Sequence, residues 1–403
     1  MFELQLDMYH TVGLAAVVFW LGNFLIKKSA LLRKYYIPAP LVGGLIFAII
    51  NTILTASGTM TISLDKTLQS ILMTVFFTTV GFSASIPLIK RGGKLITLIL
   101  FVSVVVLTIQ NLIGTSIASL FGIDPRLGVG VGSIALMGGP GTAAAFGATM
   151  ESPIYGVESA TAVSLAAATF GLVAGSLLGG PTMRKRISQL EQKNQIAMDE
   201  VAATKEEGAS TIEEEKFETN STRFINAGML LALALGTGVI VSELLASTGI
   251  TFPGYMGALV MGAVIRNIVE ATSRQYPDYE LNTIGEVSLS LFLAMAMMGL
   301  ELWVLADLAI PIVVILIAQV LFMFVFSYFI LFNVLGKNYD AAVQTTGFIG
   351  YAMGSTSNAM ANMQTITRKY GPSRAAYIAI PIGGTFSDFF NAIIITAFLN
   401  FFT

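Results

Sequence analysis

The sequence predicts an all-α polytopic membrane protein built from two inverted-topology repeats, each with five transmembrane helices and a re-entrant helical hairpin. Three observations predict it. Only 11% of the 403 residues are charged and 55% are apolar, against about 25% charged in soluble domains. The deficit is concentrated in long uncharged runs such as 95–107 and 308–335, and a span needs roughly 20 apolar residues. Landmarks of the first half also recur at matching spacing in the second.

Apolar segments near 8–26, 37–57, 68–88, 95–118, 127–150 and 158–180 make up an N-terminal repeat over 1–180. A polar linker, 181–223, leads to a C-terminal repeat over 224–403, with segments near 224–244, 252–270, 284–304, 308–335, 341–364 and 375–402. The opening Met-Phe-Glu-Leu-Gln-Leu-Asp lacks the positive region of a cleaved signal peptide, so the first segment reads as a retained helix. The linker carries Glu206, Glu207, Glu213, Glu214, Glu215 and Glu218 among Ser, Thr and Ala. Nothing there can bury a face, which makes it a solvated tether.

Segments 127–150 and 341–364 differ from the other ten. Gly138-Gly139-Pro140-Gly141 interrupts the first, and Gly354-Ser355-Thr356-Ser357-Asn358 the second. Broken backbone at membrane depth is tolerated only inside protein or beside a cavity, so both read as re-entrant hairpins. Asp124 precedes Met137-Gly138 by 13 residues, and Asp340 precedes Met353-Gly354 by the same 13. Tyr155-Gly156 with Thr169-Phe170 mirrors Tyr370-Gly371 with Thr385-Phe386, and Gly81 has a counterpart in Gly299. Chance matching of small residues is the competing account, and the closely matching spacing argues against it. With the N-terminus outside and ten full spans, the cytoplasmic side holds all but Lys66 and Arg126 of the 22 basic residues, in line with the positive-inside tendency. Five spans per half invert one half relative to the other. Both termini then lie outside, the linker is cytoplasmic, hairpin one enters from outside and hairpin two from the cytoplasm.

A net charge of −2 gives no basis for nucleic acid as a partner. The absence of Cys and the single His10 exclude disulfides, thiolate sites and multi-histidine metal sites. Gly139-x-Gly141 follows no strand, and no Gly-x-x-x-x-Gly-Lys-Ser/Thr loop, His-Glu-x-x-His pair or Ser-His-Asp set occurs, so the chain does not read as an enzyme.

At a hairpin tip, helix N-terminal amides suit a carboxylate and exposed oxygens suit a sodium ion. The first tip offers Gly138, Gly139, Gly141 and Thr142; the second offers Gly354, Ser355, Thr356, Ser357, Asn358 and, one turn on, Asn362. Tight helix packing is the alternative and accounts well for Gly128, Gly130 and Gly132. Asp388 lies near the middle of the last segment, where an unpaired carboxylate costs about 2.5–3.5 kcal/mol on insertion scales. Thr385 and Asn391 share its helix face, giving a sodium ligand set of Asp388, Asn391 and Thr385, with a structural hydrogen bond as the alternative. Gln110 and Asn111 open a polar stripe, with Thr115 and Ser119, that suits ligand contact or helix–helix bonding equally. Lys369 and Arg374 flank the second hairpin and offer a cation for an acidic substrate, or ordinary cytoplasmic anchoring. The pattern as a whole is that of secondary active transport by alternating access; an ion channel and a substrate-sensing receptor are the rivals.

The stretches Ile37-Pro38-Ala39-Pro40-Leu41-Val42-Gly43-Gly44, Met137-Gly138-Gly139-Pro140-Gly141-Thr142 and 287–295 resemble the bacterial sodium/glutamate symporter family. So do Gly336-Lys337-Asn338-Tyr339-Asp340 and Ala361-Asn362-Met363-Gln364. The resemblance covers essentially the whole chain and departs at Pro140, where related symporters carry His. It implies sodium-driven uptake of glutamate across the bacterial inner membrane, with sodium as coupling ion and no other cofactor. Aspartate or a dicarboxylate such as citrate is the alternative substrate. The family is similar to sodium/citrate carriers, which implies a homodimer whose transport domains move against a scaffold, elevator-fashion.

Overall fold

A computed structural model describes residues 2–35, 37–192, 220–247, 252–272, 276–300 and 305–402. Asp7 starts the first long helix, α1 (Met8–Lys28), by accepting the amides of Tyr9 and His10, and Lys27 and Lys28 close it. Cations in a last turn complement the helix dipole. A short α2 (Ala30–Lys34) leads to α3 (Ala39–Ala56), α4 (Thr67–Phe82) and α5 (Ile86–Leu120), the last bent at Gly93, where the backbone leaves the helical region. Then follow α6 (Pro125–Val129), α7 (Gly139–Glu151) and α8 (Ala160–Gln192). Beyond the undescribed stretch come α9 (Ser221–Ala246), α10 (Met256–Ala271), α11 (Asp278–Met298) and α12 (Leu305–Val325). The chain ends with α13 (Tyr339–Ala352), α14 (Thr356–Tyr370) and α15 (Arg374–Phe401).

Among the described residues, eight helices are long and apolar enough to cross a membrane: α1, α3, α5 from Gly93, α8, α9, α11, the helical stretch Leu308–Val334, and α15. Large apolar side chains face outward along them, including Trp20, Ile53, Met229 and Ile310, exposed by 62–71%. An apolar exterior of this extent is what a bilayer covers, and the chain is a multi-pass membrane protein. Helices also occupy the other two positions expected to span. There α4 and α10 have 16 residues each, a rise of about 24 Å against a hydrocarbon core of about 30 Å.

Two differences from the sequence reading have local causes. A two-stranded parallel sheet, β1 (Phe2–Leu6) with β2 (Met60–Leu64), precedes α1 and joins α3 to α4. Both strands alternate apolar and polar residues, Phe2-Glu3-Leu4-Gln5-Leu6 and Met60-Thr61-Ile62-Ser63-Leu64, a short strand signal that the long apolar runs beside it overshadow. The Asn51 side chain pairs with both the amide and the carbonyl of Ile62 at 3.1 and 3.2 Å, so β2 has a partner on its other edge. Helix α8 also runs on through Pro181 to Gln192, past the expected linker start. Met183, Ile187 and Leu190 repeat at helical spacing and are buried in the core, which extends the helix beyond its apolar part. The acidic run of the linker, Glu206 to Glu218, and Arg274 lie outside the described residues.

The helices pack in two groups. In one, α1 lies on α3, α3 on α11, and α4 on α10 and α11, while α9 covers α10. In the other, α13 is enclosed by α8, α14 and α15, α5 lies on α15, and α7 on α8. One hydrophobic cluster, with Ile99, Met137, Met183, Phe348 and Met353, joins the second group to Met323 of α12 and the helical stretch after it. The groups meet where Phe77 of α4 stacks on Tyr255 at 4.2 Å and Phe146 of α7 meets Tyr255 edge-on at 5.7 Å.

Candidate functional site

Both glycine-rich segments are broken helices. Helix α6 passes into a π-helical stretch, Gly130–Ile134, with Gly132 outside the helical region, and then into turns over 135–138 before α7 begins. Asp124 starts α6 by accepting the Arg126 amide, and Arg126 reaches on to the Tyr155 carbonyl at 2.9 Å. Burial works to raise the Asp124 pKa, but hydrogen bonds from Arg126 outweigh it and hold the carboxyl below its ordinary range. In the second segment α13, capped by Asn338, ends at Ala352, and α14 begins after the turn 353–355 with Ser355 capping the Asn358 amide at 3.3 Å.

The two breaks touch. Gly139 sits at φ 66°, a left-handed conformation, and a Cβ added there would stand 2.9 Å from the Gly354 carbonyl oxygen. Only glycine meets both demands without strain. Tyr351, in the last turn of α13, donates to Ser103 Oγ at 3.1 Å and contacts Met137 Sδ at 3.3 Å and Ser387 Oγ. Its hydroxyl therefore ties α5, both breaks and α15 at one point.

A cavity of about 700 Å³ opens at this contact, between the two helix groups. The first break lines it with Gly138, Gly139, Pro140 and Gly141, and the second with Gly354, Ser355, Thr356 and Ser357. Helix α15 contributes Thr385 and Asp388. The opening turns of α7 and α14 thus face one space, and first-turn amides have no intrahelical acceptor. No side chain caps α7. Pro140 has no amide to offer, which leaves Gly139, Gly141 and Thr142 as the N–H donors of that turn.

Other residues singled out in the sequence are spent on backbone groups of neighbouring segments. Asn111 Oδ1 accepts the Ser133 amide at 2.9 Å while Asn391 Nδ2 donates to the Ser133 carbonyl at 3.2 Å. Gln110 Nε2 donates to the Ala352 carbonyl at 3.0 Å, Asn358 Nδ2 to Leu172 at 2.8 Å and Asn362 Nδ2 to Gly175 at 3.0 Å. The bonds to Ser133 and Ala352 pair backbone groups at the breaks that burial would leave costly, while those to Leu172 and Gly175 tie α14 to the unbroken α8. Thr142 is buried behind the first tip, while Lys369 and Arg374 stand at the far end of α14 and the start of α15, off the cavity lining. Asn391 Oδ1 and Ser133 Oγ stay buried without a partner among the described residues, and both are oxygens of the kind a sodium ion takes.

The cavity also holds residues that sequence reasoning missed. Asn23 of α1, Thr79 of α4, and Asn282, Glu286 and Ser290 of α11 complete its wall. Glu286 had a readable signal, since an ionisable residue inside an apolar span points to function by default.

The family model for the sodium/glutamate symporter matches residues 4–372. The chain belongs to the sodium/glutamate symporter family. A sodium/glutamate symporter of Escherichia coli (strain K12) is 39% identical over 398 residues, covering 98% of both chains. One of Haemophilus influenzae is 36% identical over 386 residues, covering 95% of both. Members of this family are transporters and not enzymes. Among solved structures, a sodium/proton antiporter from Methanocaldococcus jannaschii aligns over 97% of both chains at 14% identity with a TM-score of 0.42.

Proposed function

We propose that the protein is a sodium-coupled symporter that imports L-glutamate by alternating access. One observation carries the reading: two helix starts and an intramembrane carboxylate converge on one cavity at the point where both broken helices touch. The names of the relatives, sodium/glutamate symporters at 36–39% identity, support the same substrate and ion. First-turn amides near Gly139, Gly141 and Thr356, with the hydroxyls of Ser355 and Thr356, receive the substrate carboxylates. Sodium takes oxygens from Asp388, Thr385 and Ser357, with Asn391 Oδ1 as a further ligand. Asn358, Asn362, Gln110 and Asn111 hold the tips in shape, and Lys369 and Arg374 anchor the cytoplasmic side.

Coupling follows from charge. The substrate is an anion and Asp388 is another, and two unit charges about 4 Å apart repel by roughly 4 kcal/mol at an effective dielectric of 20. A sodium ion between them turns that repulsion into attraction, so substrate binds far better to the sodium-loaded site.

The same order of long helices and one broken pair occurs on each side of residues 193–219, which supports two inverted repeats with re-entrant hairpins. The cavity's position between two helix groups supports an elevator motion of one group past the other, in a homodimer with both termini outside. Purified protein in proteoliposomes tests the core of the reading. An inward sodium gradient should drive labelled glutamate above its equilibrium level, with aspartate and citrate competing weakly. Equal accumulation with and without the gradient would end the symport reading.

A further inference from the structure

Glu286 is the one charged group on the cavity that the symport reading leaves without work. Helix α11 presents Asn282, Glu286 and Ser290 to the space at four-residue intervals, so all three lie on one face. Leu289, on the same wall, comes within 2.9 Å of where a Cβ on Gly141 would stand. That contact sets the stripe beside the start of α7. Glu286 is exposed to the space, and no hydrogen bond or ion pair holds it among the described residues.

The charge inventory of the cavity is one-sided. Glu286 and Asp388 are acidic, and among the described residues lining it there is no lysine, arginine or histidine. An amino-acid dicarboxylate brings two carboxylates and one ammonium. Helix-start amides can take the carboxylates, and Asp388 with Thr385 can take the ion. The ammonium has three N–H donors and needs acceptors of its own.

Glu286 suits that role better than it suits a second sodium ion. A dehydrated ion requires a closed shell of fixed oxygens, whereas Glu286 stands on a flexible stem in open space. An ammonium carried on a substrate arrives with its position already set, and needs only a carboxylate with one or two polar neighbours. Asn282 and Ser290, one turn away on each side, provide them.

We propose that Glu286 receives the α-ammonium of the substrate and so makes the cavity select amino-acid dicarboxylates over dicarboxylates that lack the amino group. The inference rests on the glutamate-import reading and adds the residue that enforces it.

The test compares wild type with Glu286→Gln in proteoliposomes, using sodium-driven uptake of labelled glutamate and competition by glutarate, which lacks only the ammonium. The charge-assisted bond predicts a rise of about 10- to 100-fold in the KM for glutamate. Inhibition by glutarate should stay unchanged or strengthen, and the half-saturating sodium concentration should stay within about twofold of wild type. Glu286→Asp, which keeps the charge, should recover part of the preference. Thermal stabilisation of the detergent-solubilised variants by glutamate against glutarate, with sodium present, reads the same ratio if uptake is lost. An unchanged glutamate-to-glutarate ratio in Glu286→Gln overturns the proposal, as does a shift in sodium half-saturation with that ratio intact. Failure of the wild type itself to take up glutamate would instead overturn the import reading, and this inference with it.

Discussion

Asp388 and Asn111 illustrate two fates of a polar residue in a membrane interior. Asp388 lines the cavity with no hydrogen bond among the described residues, so its carboxylate is available to an ion. Replacing it with Asn removes the charge and keeps the shape. Asp388→Asn should raise the half-saturating sodium concentration by about tenfold or more, given the several kcal/mol that a close charge pair supplies. A sodium titration of glutamate uptake measures this, and an unaltered titration removes Asp388 from the ion site. Asn111 accepts the Ser133 amide across to the first break, so polarity there serves the fold. In sequence the two kinds of residue look alike. Asn358, Asn362 and Gln110 carry the same amide chemistry as a sodium ligand, and which carbonyl each meets depends on a helix far along the chain.

The breaks in α6–α7 and α13–α14 were legible because backbone chemistry is local. Pro140 lacks an amide, Gly139 tolerates a left-handed turn, and the Gly354-Ser355 pair ends one helix and caps the next. Helix ends held by charge were less legible. Arg266 of α10, 6% exposed, meets Glu270 at 2.8 Å and Asp278 at 2.7 Å, and lies 3.7 Å over the Tyr276 ring. Ser85 donates to Glu270 from the turn after α4, so this cluster joins α4, α10 and α11. Arg266→Met should lower stability by roughly 1–3 kcal/mol, less than the ~3–5 kcal/mol for a wholly buried pair because Asp278 is largely exposed. A thermal unfolding scan in detergent checks it. An unshifted midpoint would mean that the cluster adds no net stability. The expected linker start misplaced the end of α8 for a related reason: Met183, Ile187 and Leu190 form a helical stripe too sparse to stand out among charged neighbours.

For the whole molecule, the bias of basic residues predicts which side each loop faces. The chain has no cysteine, so single cysteines report cleanly. Thr59→Cys, before β2, should react with a membrane-impermeant maleimide in intact cells, and Lys337→Cys, before α13, only after permeabilisation. The reverse pattern would overturn the proposed orientation. Amino-acid order alone determined that this chain is helical, lies in a membrane and breaks two of its helices. Those properties follow from hydropathy and from the need of each backbone group to pair within its own segment. Only the tertiary structure decided that the two breaks touch, that the cavity lies between two helix groups, and that Glu286 faces the tips. Such facts arise from contacts like that of Met137 with Tyr351, 214 residues apart. Packing sets the register of distant helices, and hydropathy, being a property of each segment alone, carries no record of it.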